Sequence, residues 1–131
     1  MKKMLFFVFL LLPCWLSAQS VDSVALRQVD SLIQVSRGLT GQREFDKAIE
    51  VNAAAEKLAL EKFGRESAAY GSCCANRGRI FYYKGNKPEA EKWWLDAKVI
   101  REKSLGREHP HYAVSLSNLA ILYEKMGQYE K

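Results

Sequence analysis

Past residue 21 the apolar residues recur at intervals of three and four, and no stretch alternates long enough for a strand. Leu26, Val29, Leu32, Ile33, Ser36 and Leu39 make one stripe, predicting a helix over residues 22–39. Phe45, Ala48, Ile49, Asn52, Ala55, Leu58 and Ala59 make a second, predicting a helix over 44–63. Tyr70, Cys74, Gly78 and Phe81 mark a third over 67–84, from which Tyr82 and Tyr83 lean outward. A fourth, over 87–105, buries Ala90, Trp94, Ala97 and Ile100, with Trp93 packing against a neighbouring unit; a fifth spans 110–126.

The breaks between these stripes carry ordinary stop and start chemistry. Gly64, Gly85 and Gly106 stand where helices end, and Gly38 and Gly41 mark the fraying end of the first. Ser20 or Asp22 is placed to cap the first helix and Asn86 the fourth, with Glu89 three residues on as a reciprocal capping partner. Pro110 suits the first turn of the fifth helix. Gly78 falls inside a helix, where it costs up to ~1 kcal/mol relative to alanine. The position demands a physical reason.

That reason comes from an internal repeat. A step of 42 residues carries Gly64-Arg65-Glu66 onto Gly106-Arg107-Glu108, Tyr70 onto Tyr112 and Asn76 onto Asn118. It also carries Ala48 to Ala90, Ala55 to Ala97, and Ser36 to Gly78 to Ala120, a row of small residues suited to close helix approach. Repetition at this period means stacked supersecondary units whose cores are continuous from one to the next. The run Gly78-x-x-Phe81-x-x-x-Gly85-x-x-x-x-Ala90-x-x-x-Trp94-x-x-Ala97 resembles the tetratricopeptide repeat. The 42-residue step, the loop Leu105-Gly106-x-x-His109-Pro110 and Asn118-Leu119-Ala120-x-Leu122-Tyr123 look like the kinesin light chain type. The first copy departs from the pattern: Leu39 replaces the aromatic and Arg43 the turn glycine. The resemblance implies an all-α solenoid of antiparallel helix pairs, about two and a half repeats over residues 21–131.

It also implies binding rather than chemistry, with an extended peptide or partner helix held on a concave face lined by the first helix of each pair. Gln34, Asn76 and Asn118 share one repeat position there, and side-chain amides both donate to and accept from a peptide backbone. Three residues on come Arg37, Arg79 and Ile121; the two arginines suit two-point contact with a carboxylate. Tyr82 and Tyr83 add flat contact area at low entropic cost. The same amides also suit a structural role between helices, with the arginines merely solvated. Both readings stand on sequence alone.

Residues 1–20 change the picture of where the chain works. Lys2 and Lys3 precede an apolar run over Met4–Leu12, Pro13 breaks it, and Ser17, Ala18 and Ser20 follow. This is the layout of a secretory signal peptide and is too short to span a bilayer, so the expectation is export to a periplasm, cell envelope or exterior. Its removal takes the formal charge from +5 to +3, with both signs interspersed along the remainder. No basic block points to nucleic acid. Cys73 and Cys74 read as small buried core residues or, in an oxidising compartment, as a strained bridge or reactive pair.

Catalytic chemistry is sparse. Glu108, His109 and His111 form the nearest thing to a metal-ligand group, but His109-Pro110 belongs to the repeat loop. No glycine-rich phosphate loop or nucleophile elbow appears, so neither cofactor nor enzymatic activity is expected. The alternative is that the repeats place a separate effector, such as a caspase-like CHAT peptidase, encoded beyond Lys131. Lys131 aligns with Glu89, one residue before the alanine that opens each second helix. The fifth helix is therefore expected to keep Leu116, Leu119, Leu122, Tyr123 and Met126 unpartnered on one side, inviting self-association.

Overall fold

In the computed structural model, which describes residues 12–127, five helices follow one another: α1 (Leu12–Gly41), α2 (Phe45–Phe63), α3 (Ala68–Lys84), α4 (Lys87–Leu105) and α5 (Pro110–Met126). Each packs on the next, and α1 also reaches α3, as stacked helix pairs require. Two hydrophobic clusters result. Val29, Ile33, Ala55, Ala59, Cys73 and Cys74 form the larger one, between the first pair and α3. Trp94, Ala90, Leu119 and Leu122 form the other, beneath α5. Among the described residues no helix is long and apolar enough to cross a membrane.

α2 to α5 begin and end within a residue of the sequence expectation, because their stop and cap residues act locally. Ser67 Oγ accepts from the Tyr70 amide at 3.1 Å, and Asn86 Oδ1 accepts from the Glu89 amide at 3.3 Å. The reciprocal half of the second box does not form. Glu89 turns its carboxylate forward, where it accepts from the Trp93 indole at 3.3 Å. Gly85 and Gly127 end α3 and α5 in the left-handed region, with φ of 90° and 68°. One repeat earlier Arg43 takes the same region at φ 61°, a conformation that costs an L-residue roughly 1–2 kcal/mol. The first repeat thus keeps the turn after losing its glycine.

α1 departs more. It already runs from Leu12, the first described residue, and passes through Ser20 and Asp22, because no glycine or proline interrupts the chain between Pro13 and Gly38. Neither Ser20 nor Asp22 therefore acts as its N-cap. Its buried stripe is Ala25, Val29, Ile33, Ser36 and Thr40, while Leu26 is exposed, because the seam follows the smaller residue. The expected signal segment lies outside the described residues over 1–11, as does the chain after Gly127.

The fifth helix is better partnered than its sequence suggests. Leu119 and Leu122 are buried against Ala90 and Trp94 of α4, with Tyr123 and Met126 half-buried beside them. Leu116 remains exposed, and with Leu95 it borders a shallow depression between α4 and α5.

Candidate functional site

A buried polar network separates the first two repeats and fixes where the site begins. Ser36 Oγ donates to the Ala48 carbonyl at 2.9 Å, so it can only accept from Asn76 Nδ2, 3.0 Å away. Asn52 Nδ2 donates to the Cys73 carbonyl at 3.0 Å and to Glu56 Oε2 at 3.1 Å, which turns its Oδ1 towards Asn76 Nδ2 at 2.9 Å. Both Asn76 N–H groups are thereby used, and the Asn76 amide is fully buried. Its Oδ1 is left without a partner. Glu56 extends the network outward, accepting from Arg77 Nη1 at 2.7 and 2.9 Å, and Trp93 covers that guanidinium at 4.7 Å.

Beyond Asn76 lies a hollow of about 260 Å³, built by α1, α3, α4 and α5. Ala75 and Asn76 line it together with Trp94, whose ring lies over Gly78 and whose indole N–H donates to the Ala75 carbonyl at 3.0 Å. A Cβ on Gly78 would come within 2.6 Å of the indole Nε1, which explains a glycine inside a helix. Tyr82 leans on Trp94 and meets Tyr83 edge-on, both at 5.4 Å between ring centres. Arg79 lies over Tyr83 at 5.2 Å. Arg37 enters from α1, and Val114, Asn118 and Ile121 from α5.

Six of the seven sequence candidates therefore converge: Arg37, Asn76, Arg79, Tyr82, Tyr83 and Asn118 all line the hollow. Gln34 does not; it is exposed elsewhere on α1. Asn76 is not the exposed amide expected from sequence, because Ser36 and Asn52 draw both its donors inward. Sequence reading missed Arg101. This arginine is only 6% exposed and donates through Nη1 to Ser115 Oγ at 2.9 Å and the His111 carbonyl at 3.2 Å. Its Nε is buried without a partner. A signal was present, because the repeat step from Arg101 leads back to Ala59, a core position.

The electrostatics are one-sided. Burial, and then Arg79, lower the pKa of the Arg37 guanidinium, while burial, and then Arg37, lower that of Arg101. Among the described residues no acid lines the hollow, and the ion pairs of Lys47, Arg77, Lys84, Lys103 and Arg107 lie elsewhere.

The two cysteines offer no nucleophile. Cys73 and Cys74 are free and fully buried, and burial pushes both thiols up to about 12. Free, enclosed sulfurs fit the reading as small core residues better than a bridge or a reactive pair, because thiolate chemistry needs exposure. His109 does the expected loop work, its Nδ1 accepting from the His111 amide at 3.1 Å as the N-cap of α5.

Residues 76–131 match the family model of the tetratricopeptide repeat. The same helix-pair geometry recurs one step upstream, so the described residues form an all-α array of antiparallel helix pairs consistent with a tetratricopeptide-repeat solenoid, with its hollow on the side of α1, α3 and α5, the first helices of successive pairs. No curated protein matches the chain.

Proposed function

We propose that this chain is a protein-interaction scaffold of the kinesin light chain type, binding an extended peptide across the hollow and catalysing nothing. The carrying observation is that side chains from the first helices of three successive repeats meet at one concavity with aromatic, apolar and hydrogen-bonding walls. Tyr83, Val114 and Ile121 are each about half exposed and supply apolar contact, while Arg79 and Asn118 supply polar contact. Grooves with this mixture take an extended segment by main-chain hydrogen bonds and side-chain anchors.

Selection of a displayed peptide library on the full chain tests this. Selected peptides should lose binding to the Tyr83→Ala/Ile121→Asp variant and keep it with Lys57→Ala, an exposed change on α2. Unchanged binding to the first variant would place recognition elsewhere. Export rests on Lys2, Lys3 and the apolar run that follows. Mass spectrometry of the secreted or envelope fraction should find a chain beginning between Gln19 and Val21, and an intact Met1 on a cytosolic species would refute export.

A further inference from the structure

We infer that the hollow recognises a phosphorylated side chain of the bound peptide, with Arg101 as its buried anchor and Arg37 and Arg79 closing over the group. The inference rests on the peptide-binding reading and names the chemistry of its ligand. Three guanidiniums line one cavity with no described acid among its walls. Arg37 and Arg79, and Arg37 and Arg101, are close enough to disfavour each other's charge.

Arg101 carries the argument. Buried charges in proteins are paired, since an uncompensated ion loses several kcal/mol of solvation. Elsewhere this chain obeys the rule: buried Glu56 meets Arg77 at 2.7 Å. Arg101 is as deeply buried, but its two acceptors, Ser115 Oγ and the His111 carbonyl, are neutral, and its Nε has none. A cavity-lining guanidinium in that state is short of an anion. A carboxylate brings one charge and two oxygens to three arginines; a phosphoryl group brings about −1.5 to −2 and three acceptor oxygens. The second group matches the cluster better.

The test uses the full chain and short degenerate peptides fixed at the centre as phosphoserine, serine or glutamate. The phosphoserine pool should bind at least about tenfold tighter than the serine pool, a difference that charge-assisted hydrogen bonds supply. In Arg37→Gln/Arg79→Gln, whose changes fall on exposed side chains, that preference should collapse towards one. Equal binding of the glutamate and phosphoserine pools would overturn the phosphoryl assignment in favour of a carboxylate. Equal binding of all three pools would overturn the anion site while leaving peptide binding intact. Inorganic phosphate, titrated against the arginine Nε–Hε resonances, reads the pocket without a peptide. Saturable shifts at Arg37, Arg79 and Arg101 with no pool bound would sustain the anion site and defeat the peptide reading. Silence in both assays would defeat both.

Discussion

The two repeat junctions of this molecule use one backbone geometry and opposite chemistry. At the first, Asn76 donates to both Ser36 and Asn52 and so bridges α1, α2 and α3. One step of the repeat turns those positions into Gly78, Trp94 and Asn118, and the polar bridge becomes an indole laid over a glycine. Farther out, the first junction pairs Glu56 with Arg77, where the second has Lys98 and Leu119. At the other end Ala59 and Cys73 are apolar core, whereas Arg101 and Ser115 are hydrogen-bonded. The helices cross alike because either a polar lock or a ring on a glycine fills the crossing. What differs is charge: the first junction neutralises its buried ion internally, and the second leaves one facing a hollow.

The largest break in this comparison comes from truncating the position that differs most. Trp94→Ala removes the ring that holds α3, α4 and Tyr82 together and should cost about 3–5 kcal/mol. Asn52→Ala, one repeat earlier, leaves the Cys73 carbonyl and one Asn76 N–H unmet and should cost about 1–3 kcal/mol. Urea unfolding of both variants gives the ratio. Equal losses would mean that the junctions are held alike and the contrast is only descriptive.

Asn76 and Asn118 sharpen it next. Asn76→Ala should cost about 1–3 kcal/mol, because Asn52 Oδ1 and the Ser36 hydroxyl lose their donor inside the protein. Asn118 is half-buried and lines the hollow, so Asn118→Ala should change stability by no more than about 0.5 kcal/mol and act on binding instead. Similar melting for the two variants would show that the buried Asn76 bridge contributes little.

Gly78→Ala has a smaller net effect because two terms oppose. Overpacking against the indole costs about 1–3 kcal/mol, and the gain in helix propensity returns up to ~1. In a Trp94→Ala background the clash is absent, so the same change should stabilise. A change that destabilises equally in both backgrounds would place the strain somewhere other than the ring.

The repeat step explains how much of this was legible in the sequence. It set the helix pairs, the stop residues and the convergence of Arg37, Arg79 and Asn118, because each belongs to a pattern that recurs with fixed geometry, whereas Tyr82 and Tyr83 have no aromatic counterpart one step away and were legible only as outward-leaning aromatics. It misled at Asn76, where identity with Asn118 implied a shared role. Burial differs because Ser36 and Asn52 have no polar counterparts at Gly78 and Trp94. Arg101 escaped because a helix-face pattern places cations outward, and only its comparison with Ala59 marks it as out of place. The start of α1 escaped for another reason. Helix initiation by a cap is a preference of about 1 kcal/mol, too little to begin a helix at Ser20 or Asp22 when no glycine or proline breaks the chain between Pro13 and Gly38.

The cysteines give the smallest effect at neutral pH and the most distinctive one above it. Cys73 and Cys74 belong to the first junction alone, since Ser115 and Leu116 stand at their positions in the second. Their thiols ionise near 9 in an unfolded chain and are pushed up to about 12 by burial. Below about pH 8 both states keep the protons, so the thiols' contribution is complete and independent of pH. As pH rises through about 9 the unfolded chain loses protons that the folded chain retains, and stability falls by up to about 1.4 kcal/mol per pH unit for each thiol. Tyr70, also raised to about 12, adds to the loss from about pH 10. Urea midpoints measured from pH 7 to about 10.5 should therefore fall more steeply for the native chain than for Cys73→Ala/Cys74→Ala, which loses both thiols and the part of the Tyr70 shift that Cys74 supplies. Alkylation by iodoacetamide should track unfolding rather than thiolate formation over the same range, because both sulfurs are enclosed. Parallel pH profiles, or fast alkylation of the folded protein, would mean that the first junction opens more readily than its buried polar network implies.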